Sequence, residues 1–420
     1  MATLYVAPGN AGTGAIAQNL DIRPDDTEAL ASTARKLNID LTVVGPEAPL
    51  AAGLVDYFEQ LDLPIFGPTK AAARIESSKV FAKELMQKYG IPCPQGTTFS
   101  EYFGLSPKWS FSSIAMGGST AAWMVIQAAY AISAGYCDTV LCVRGDPTLS
   151  RLTTEGMVAL IKEMSHLELE YPYGLTTPGG YALVAQRHMY EFGTKPEQLA
   201  AVAVACRKHA GMMWNAMMKD PITIDDVLNS RMIASPLHLL DCCLVSDGGG
   251  AFIVTTAERA RDLKKPPVYV NGAAQASPHQ FIGQAPSLTY IYETIKGAAD
   301  RAFGMAGITP QDIDVAEIYD CFTITVIMSL EGLGFCKLGE GGSFVEGGRI
   351  ELGGELPVNT HGGLLSQAHL GGMFHVNEAV RQLRGEAGER QVPGAQNAVV
   401  TGNGGILSAQ SIVILGKEPA

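Results

Sequence analysis

Three stretches of this chain carry side chains whose types and spacing suit catalysis. The first is Ser112-Ser113-Ile114-Ala115-Met116-Gly117-Gly118-Ser119-Thr120, which reads as a tight turn opening a helix. Gly117 and Gly118 let the backbone turn closely, and Ser119 or Thr120 can cap the helix. The helix itself, Ala121 to Ser133, is apolar nearly all round and ends at Gly135. A buried helix aiming its N-terminus at a turn is a good place for a nucleophile or an oxyanion hole. The second is Tyr319, at the end of the strand expected over Val315-Ala316-Glu317-Ile318. A phenol there can donate to an anionic oxygen or take up a proton if its pKa is lowered; the plainer alternative is a buried tyrosine with one hydrogen bond. The third is Pro357 to Gly372, holding His361 in Asn359-Thr360-His361-Gly362-Gly363 and His369 in Ser366-Gln367-Ala368-His369-Leu370-Gly371-Gly372. His369 can serve as a donor to an oxyanion or be a satisfied structural histidine, and His361 either binds substrate or packs under the loop. The backbone N–H of Gly404, in Thr401-Gly402-Asn403-Gly404-Gly405, offers one more donor for an anion.

The elements that must position these groups belong to a sizeable α/β protein. A length of 420 residues suggests two to three domains, and 47% hydrophobic with 17% charged residues supplies a substantial core. The net charge of −12, without a basic cluster, argues against a nucleic-acid partner and gives no membrane-surface signal. The eight cysteines are scattered and form no CxxC pair, so neither a disulfide framework nor a zinc site is expected. They read as reduced, buried thiols of a cytoplasmic protein. No signal peptide and no apolar run of spanning length occurs. Over residues 1–98, strands at Leu4–Ala7, Leu41–Val44 and Pro64–Phe66 alternate with helices at Asp26–Leu37, to about Leu61, and from Thr69 to Lys88. That order predicts a parallel sheet with ligands at the strand C-ends.

The stretch Ile114-Ala115-Met116-Gly117-Gly118-Ser119-Thr120-Ala121, with its helix and the buried strand expected at Asp138-Thr139-Val140-Leu141-Cys142-Val143, resembles the nucleophile segment of the thiolase superfamily. The nearest branch is the sterol-carrier-protein-x-type thiolases, and the resemblance continues to the end of the chain. It implies an αβαβα layered fold lacking its first strand and helices, with a first half over 101–265 and a second half over 266–420. It also implies that Ala115 stands where a thiolase has its acyl-accepting cysteine, and Gly402 where it has its second cysteine. No cysteine lies between Cys93 and Cys137. By the same resemblance His369 matches the histidine of the thioester oxyanion hole, and Tyr319 replaces the histidine of a His-Asp-Cys-Phe block in which Cys321 is merely buried. Ala115, Gly117, Gly118, Gly404 and Asn359 would then line the substrate site.

The first 98 residues resemble a different family, phosphoribosylamine–glycine ligase of purine synthesis. The matching segments are Tyr5-Val6-Ala7-Pro8-Gly9-Asn10-Ala11-Gly12-Thr13, Asp40 to Leu50 and Ile65-Phe66-Gly67-Pro68-Thr69. This implies a partial Rossmann-like, pre-ATP-grasp domain whose glycine-rich opening is missing and whose nucleotide-binding lobes do not follow. Gly9, Asn10 and Glu47 would be remnants of a phosphoribosyl site, or ordinary αβ turns.

Without a nucleophilic cysteine no acyl-enzyme forms. The function implied by resemblance is therefore retro-aldol carbon–carbon cleavage of a β-hydroxyacyl-CoA in lipid or steroid metabolism, with coenzyme A entering as part of the substrate and no bound cofactor or metal. Expected partners are a second copy, in a homodimer through the 138–143 strand, and a small OB-fold, zinc-ribbon protein. The alternatives are ATP-dependent ligase activity from residues 1–98, or a non-catalytic CoA- or lipid-binding fusion.

Overall fold

The computed structural model describes residues 3–10, 12–45, 47–70, 107, 113, 116–151, 153, 162, 165–279 and 282–420. The chain divides into two compact units, 1–111 and 112–420.

In the first unit the strands pair in parallel, among the described residues as two separate pairs rather than one sheet. β1 (Tyr5–Val6) lies beside β2 (Gln18–Asn19), a strand too short and polar to stand out in the sequence. β3 (Thr42–Val43) lies beside β4 (Ile65–Phe66). Helix α1 (Thr27–Lys36) starts where the Asp26 carboxylate accepts the Ala29 N–H at 3.0 Å, an N-cap that satisfies one orphan donor. The helix expected to reach Leu61 is broken at Gly53, with φ +97°, into α2 (Glu47–Ala52) and α3 (Leu54–Gln60). Ala31 and Ala34 of α1 pack on Leu54 and Phe58 of α3 to form the core of the unit. The helix expected up to Lys88 lies outside the described residues.

The second unit is built on a mixed four-stranded sheet in the order β8–β9–β10–β7, formed by Val315–Glu317, Asn397–Gly404, Ala409–Gly416 and Tyr269–Ala276. β8 runs parallel to β9, and β10 is antiparallel to both its neighbours. Side chains alternate between the faces with the two-residue period of a strand. Val399, Ile412 and Ile414 enter a core shared with α5 (Thr177–Phe192), α6 (Pro196–Gly211), α7 (Leu288–Ala306) and α8 (Thr323–Leu333). Ala398, Val400, Val413 and Leu415 enter a second core with α4 (Thr120–Ser133) and α9 (Met373–Arg384). The α4–α9 layer is covered on its far side by the antiparallel pair β5 (Thr139–Pro147) and β6 (Asp247–Thr255). Among the described residues the layers thus run helix, sheet, helix, sheet.

Two local expectations are corrected. The strand read as buried over 138–143 buries only one face: Cys142 turns toward α4, while Leu141 is 49% exposed and Ile253 opposite it 64%. Neither Ser119 nor Thr120 caps α4 through N2 or N3. The Ser119 hydroxyl lies 2.6 Å from that of Ser411, and Thr120 Oγ1 instead accepts from Met116 N–H and donates to the Gly117 carbonyl, closing the turn ahead of the helix.

Candidate active site

Tyr319 leaves the end of β8 and is held by its backbone. Its N–H donates to Thr401 Oγ1 at 3.0 Å, and its carbonyl accepts from Thr325 Oγ1 at 3.0 Å. The ring is only 3% exposed and lies on the turn before α4. A side-chain carbon built on Gly118 would fall 1.9 Å from Tyr319 Cζ, so glycine at 118 is what lets the ring occupy its place. Gly404 closes the opposite side: a carbon there would fall 1.8 Å from the Met116 carbonyl oxygen, and one on Gly117 3.2 Å from the Gly404 Cα. Gly402 leaves no room for any side chain, since a carbon there would sit 2.8 Å from the Ser119 Cα. Ala115 lies outside the described residues.

His369 reaches the same point from the other end of the sequence. Its Nε2 is 3.0 Å from Tyr319 Oη, with the rings edge to face. Ser246 holds its backbone, accepting the His369 N–H at 2.7 Å and donating to its carbonyl at 3.2 Å. Burial, followed by the nearby Arg144 charge, pushes the imidazole below its ordinary pKa, so it is neutral near pH 7. Burial pushes the Tyr319 phenol well above its ordinary value, the reverse of the lowered pKa that the sequence reading makes the condition for taking up a proton, so the ring rests protonated at neutral pH.

The loop that delivers His369 is built on Asp320. This buried carboxylate accepts the Leu364 and Leu365 N–H groups at 2.8 and 3.2 Å and pairs with His375 Nε2 at 3.1 Å. Burial works to raise its pKa, but the His375 hydrogen bond and charge, with the Leu364 N–H, outweigh it and hold the carboxyl below its usual value. Gly363, at φ +63°, packs so closely that a side-chain carbon would lie 1.9 Å from Asp320 Oδ2. The one-turn π-helix Gly363–Gln367 follows and aims the chain at His369.

The other candidates in this loop go elsewhere. Asn359 spends both ends of its amide on the Ile318 backbone, at 2.7 Å each, fixing the strand end beneath Tyr319. His361 is 1% exposed, with its Nδ1 2.8 Å from Glu317 Oε2, and its ring meets His375 edge to face at 4.6 Å. His375 in turn stacks on Tyr319 at 6.0 Å, so an imidazole layer separates His361 from the phenol. Cys321 is buried and its thiol is pushed up to about 12 by burial, which removes it as a nucleophile at neutral pH. In the first unit, Asn10 spends its side-chain oxygen on the Gly12 and Thr13 N–H groups, and Gly9 turns at φ +76° beside Asn19. Glu47 opens α2.

Ser246, Asp320, His375 and Arg144 support the pair, and residue order alone does not mark them for it. Asp320 is adjacent to a candidate, and Ser246 opens the Ser-Asp-Gly-Gly-Gly run. Arg144 gives no signal beyond being a charge at the end of an apolar strand.

Comparison with known proteins agrees with this architecture. Residues 274–417 match the family model described as thiolase C-terminal domain-like, and residues 1–76 match the phosphoribosylglycinamide synthetase N domain. An acetyl-CoA acetyltransferase of Methanothermobacter thermautotrophicus is 40% identical over 290 residues, covering 68% of this chain and 75% of the relative. A steroid side-chain-cleaving aldolase of Thermomonospora curvata is 39% identical over 321 residues, covering 73% and 81%. The solved structure of an Ltp2-ChsH2(DUF35) aldolase superposes with a TM-score of 0.66 at 39% identity, covering 72% of this chain and 78% of that one. The chain belongs to the thiolase superfamily.

Proposed function

We propose that the 112–420 unit is an acyl-CoA aldolase, cleaving the bond between the α- and β-carbons of a β-hydroxyacyl-CoA to give a carbonyl product and a shorter acyl-CoA. The observation that carries this reading is the Tyr319 Oη–His369 Nε2 contact of 3.0 Å, set against a glycine-lined helix start where neither position 115 nor position 402 is a cysteine. Claisen chemistry needs a thiolate to hold the acyl group; retro-aldol chemistry needs only proton exchange at the β-hydroxyl and donors for the enolate. Tyr319 does the first. The neutral imidazole of His369 and the helix N-terminus do the second. Similarity to a steroid side-chain-cleaving aldolase supports the reading and points to a bulky, apolar acyl group.

The same reading places the protein in the cytoplasm, as a homodimer, with a small OB-fold, zinc-ribbon protein as partner; the DUF35 component of the similar Ltp2-ChsH2(DUF35) aldolase structure supports the last. The test is product analysis by chromatography. A panel of β-hydroxyacyl-CoA esters, including steroidal ones, is incubated with the purified protein, with and without a DUF35-type partner. Release of carbonyl product with an equal amount of shorter acyl-CoA, without added free coenzyme A, is expected. Thiolysis that consumes free coenzyme A, or no cleavage of any ester with the partner present, overturns it.

A further inference from the structure

A cation stands beside the Tyr319–His369 pair. Arg144 lies on β5 opposite Gly250 of β6. Its guanidinium covers Gly371: a side-chain carbon built on that residue would fall 2.3 Å from Arg144 Cζ and Nη1. The next residue, Gly372, lies against the phenol, where an added carbon would be 3.4 Å from Tyr319 Cδ2. The two glycines are therefore a thin spacer between guanidinium and phenol, and His369 precedes them by two residues. Arg144 Nη2 donates to Asp146 Oδ2 at 3.1 Å, and the two side chains are 26% and 14% exposed, so the charge is partly shielded from water.

We propose that Arg144 is a positioning residue of this site, its guanidinium supplying the fixed positive charge against which the Tyr319 oxygen and the substrate enolate carry negative charge in turn. The inference rests on the aldolase reading. In that reaction the β-hydroxyl proton passes to the deprotonated Tyr319 oxygen, and the O–H electron pair becomes the second bond of the new carbonyl. The pair from the broken carbon–carbon bond moves onto the thioester as an enolate. Tyr319 then returns its proton to the α-carbon, so no co-reactant is consumed. Negative charge sits on the phenol before cleavage and on the enolate after it.

Of the other groups facing the pair, His375 spends its charge on the Asp320 carboxylate 3.1 Å away, and the rest carry no positive charge. Around Tyr319 stand Cys321, Cys243, Asp320 and the ring of His375; around His369 stand Asp146 and Asp320. The Cys321 and Cys243 thiols are pushed up by burial and stay neutral, and ionised Asp320 opposes negative charge on the phenol. Arg144 counters both that burial and Asp320, while also opposing protonation of His369.

The test uses Arg144→Met, Arg144→Lys and Asp146→Asn in the full chain, with two readouts. In the pH profile of kcat, Arg144→Met is expected to displace the ascending limb upward by about one unit, roughly a tenfold loss below the limb, with little change in KM. Arg144→Lys should restore it, and Asp146→Asn should displace it downward. The second readout is independent of turnover: ring-13C histidine NMR, with the His369 signal identified by its loss in His369→Gln. Its titration should move up in Arg144→Met and down in Asp146→Asn. Unchanged His369 titration in both variants, in folded protein, overturns the inference. If the wild type cleaves no ester, the aldolase reading fails while the His369 titration still decides whether Arg144 acts on the pair.

Discussion

At the scale of single residues the site is a meeting of one phenol and one imidazole over a floor of glycines. If Tyr319 exchanges the β-hydroxyl proton, Tyr319→Phe removes the exchange and leaves the ring's packing. Losing one such group costs about 3–4 kcal/mol, roughly a hundred- to thousandfold in kcat, and CoA-ester binding measured by calorimetry should stay close to wild type. In the proposed reaction the phenol works in its deprotonated form, and burial holds its pKa well above the ordinary value. Cleavage should therefore accelerate as pH rises through the neutral and mildly alkaline range, by about tenfold per unit; a flat profile there argues against Tyr319 as the base. Gly118→Ala is a steric counterpart. Its methyl group meets the Tyr319 ring at 1.9 Å, a backbone-anchored clash the ring can relieve only by leaving His369. Overpacking of this kind costs about 1–3 kcal/mol, so a lowered Tm together with loss of cleavage is expected.

At the scale of elements, the loop carrying His369 is stabilised by buried polar pairs behind the Tyr319–His369 face. His209 receives the Leu352 N–H on Nε2 at 3.1 Å, which leaves its Nδ1–H to donate to the Asn359 carbonyl at 3.2 Å. That pattern requires a neutral ring. Burial pushes both His209 and His361 down to about 4. Each is a base whose folded pKa lies below its unfolded value of about 6.5. Their contribution is thus fully present above pH 6.5 and is lost as pH falls from 6.5 toward 4, where the unfolded chain binds protons that the folded one refuses. Urea midpoints should fall across that window, and His361→Gln should flatten the fall. A wild-type midpoint that is constant from pH 6.5 to 4.5 would show that these rings are not held neutral.

At the scale of the whole molecule, two expectations follow from architecture. Among the described residues β5 pairs only with β6, leaving one edge with unpaired backbone groups and an outward Leu141. Exposed edges of this kind recruit another strand, and two-fold pairing with a second copy satisfies both edges at once. A dimer by light scattering at micromolar concentration is expected, and Leu141→Lys should shift it toward monomer; a wild-type monomer would count against this edge as the contact. The ligase-like segment carries the second expectation. Its N-domain match spans residues 1–76, and the 112–420 unit is of thiolase type. Phosphoribosylamine, glycine and ATP should give no product above blank in a coupled phosphate-release assay.

What could be read from residue order alone was whatever depends on local spacing. The helix after Gly118, the short strand around 315–317 and, from the order of strands and helices, the parallel pairing near the N-terminus were each legible in this way. The glycine turn, Tyr319 and His369 were also visible as candidates, because their motifs are long enough to be distinctive. The tertiary structure decided which of them meet. Tyr319 and His369 are fifty positions apart, and their 3.0 Å contact depends on Asp320 folding the 359–372 loop back over the end of β8. The same loop turns Asn359 and His361 inward, although they sit in motifs as glycine-rich as that of His369. Gln18–Asn19 became a strand, and the 138–143 segment an exposed edge, because pairing and burial are set by neighbours distant in the chain. Arg144 was beyond reach for that reason: only the register of β5 on β6, and two glycines on another element, bring its charge to the phenol.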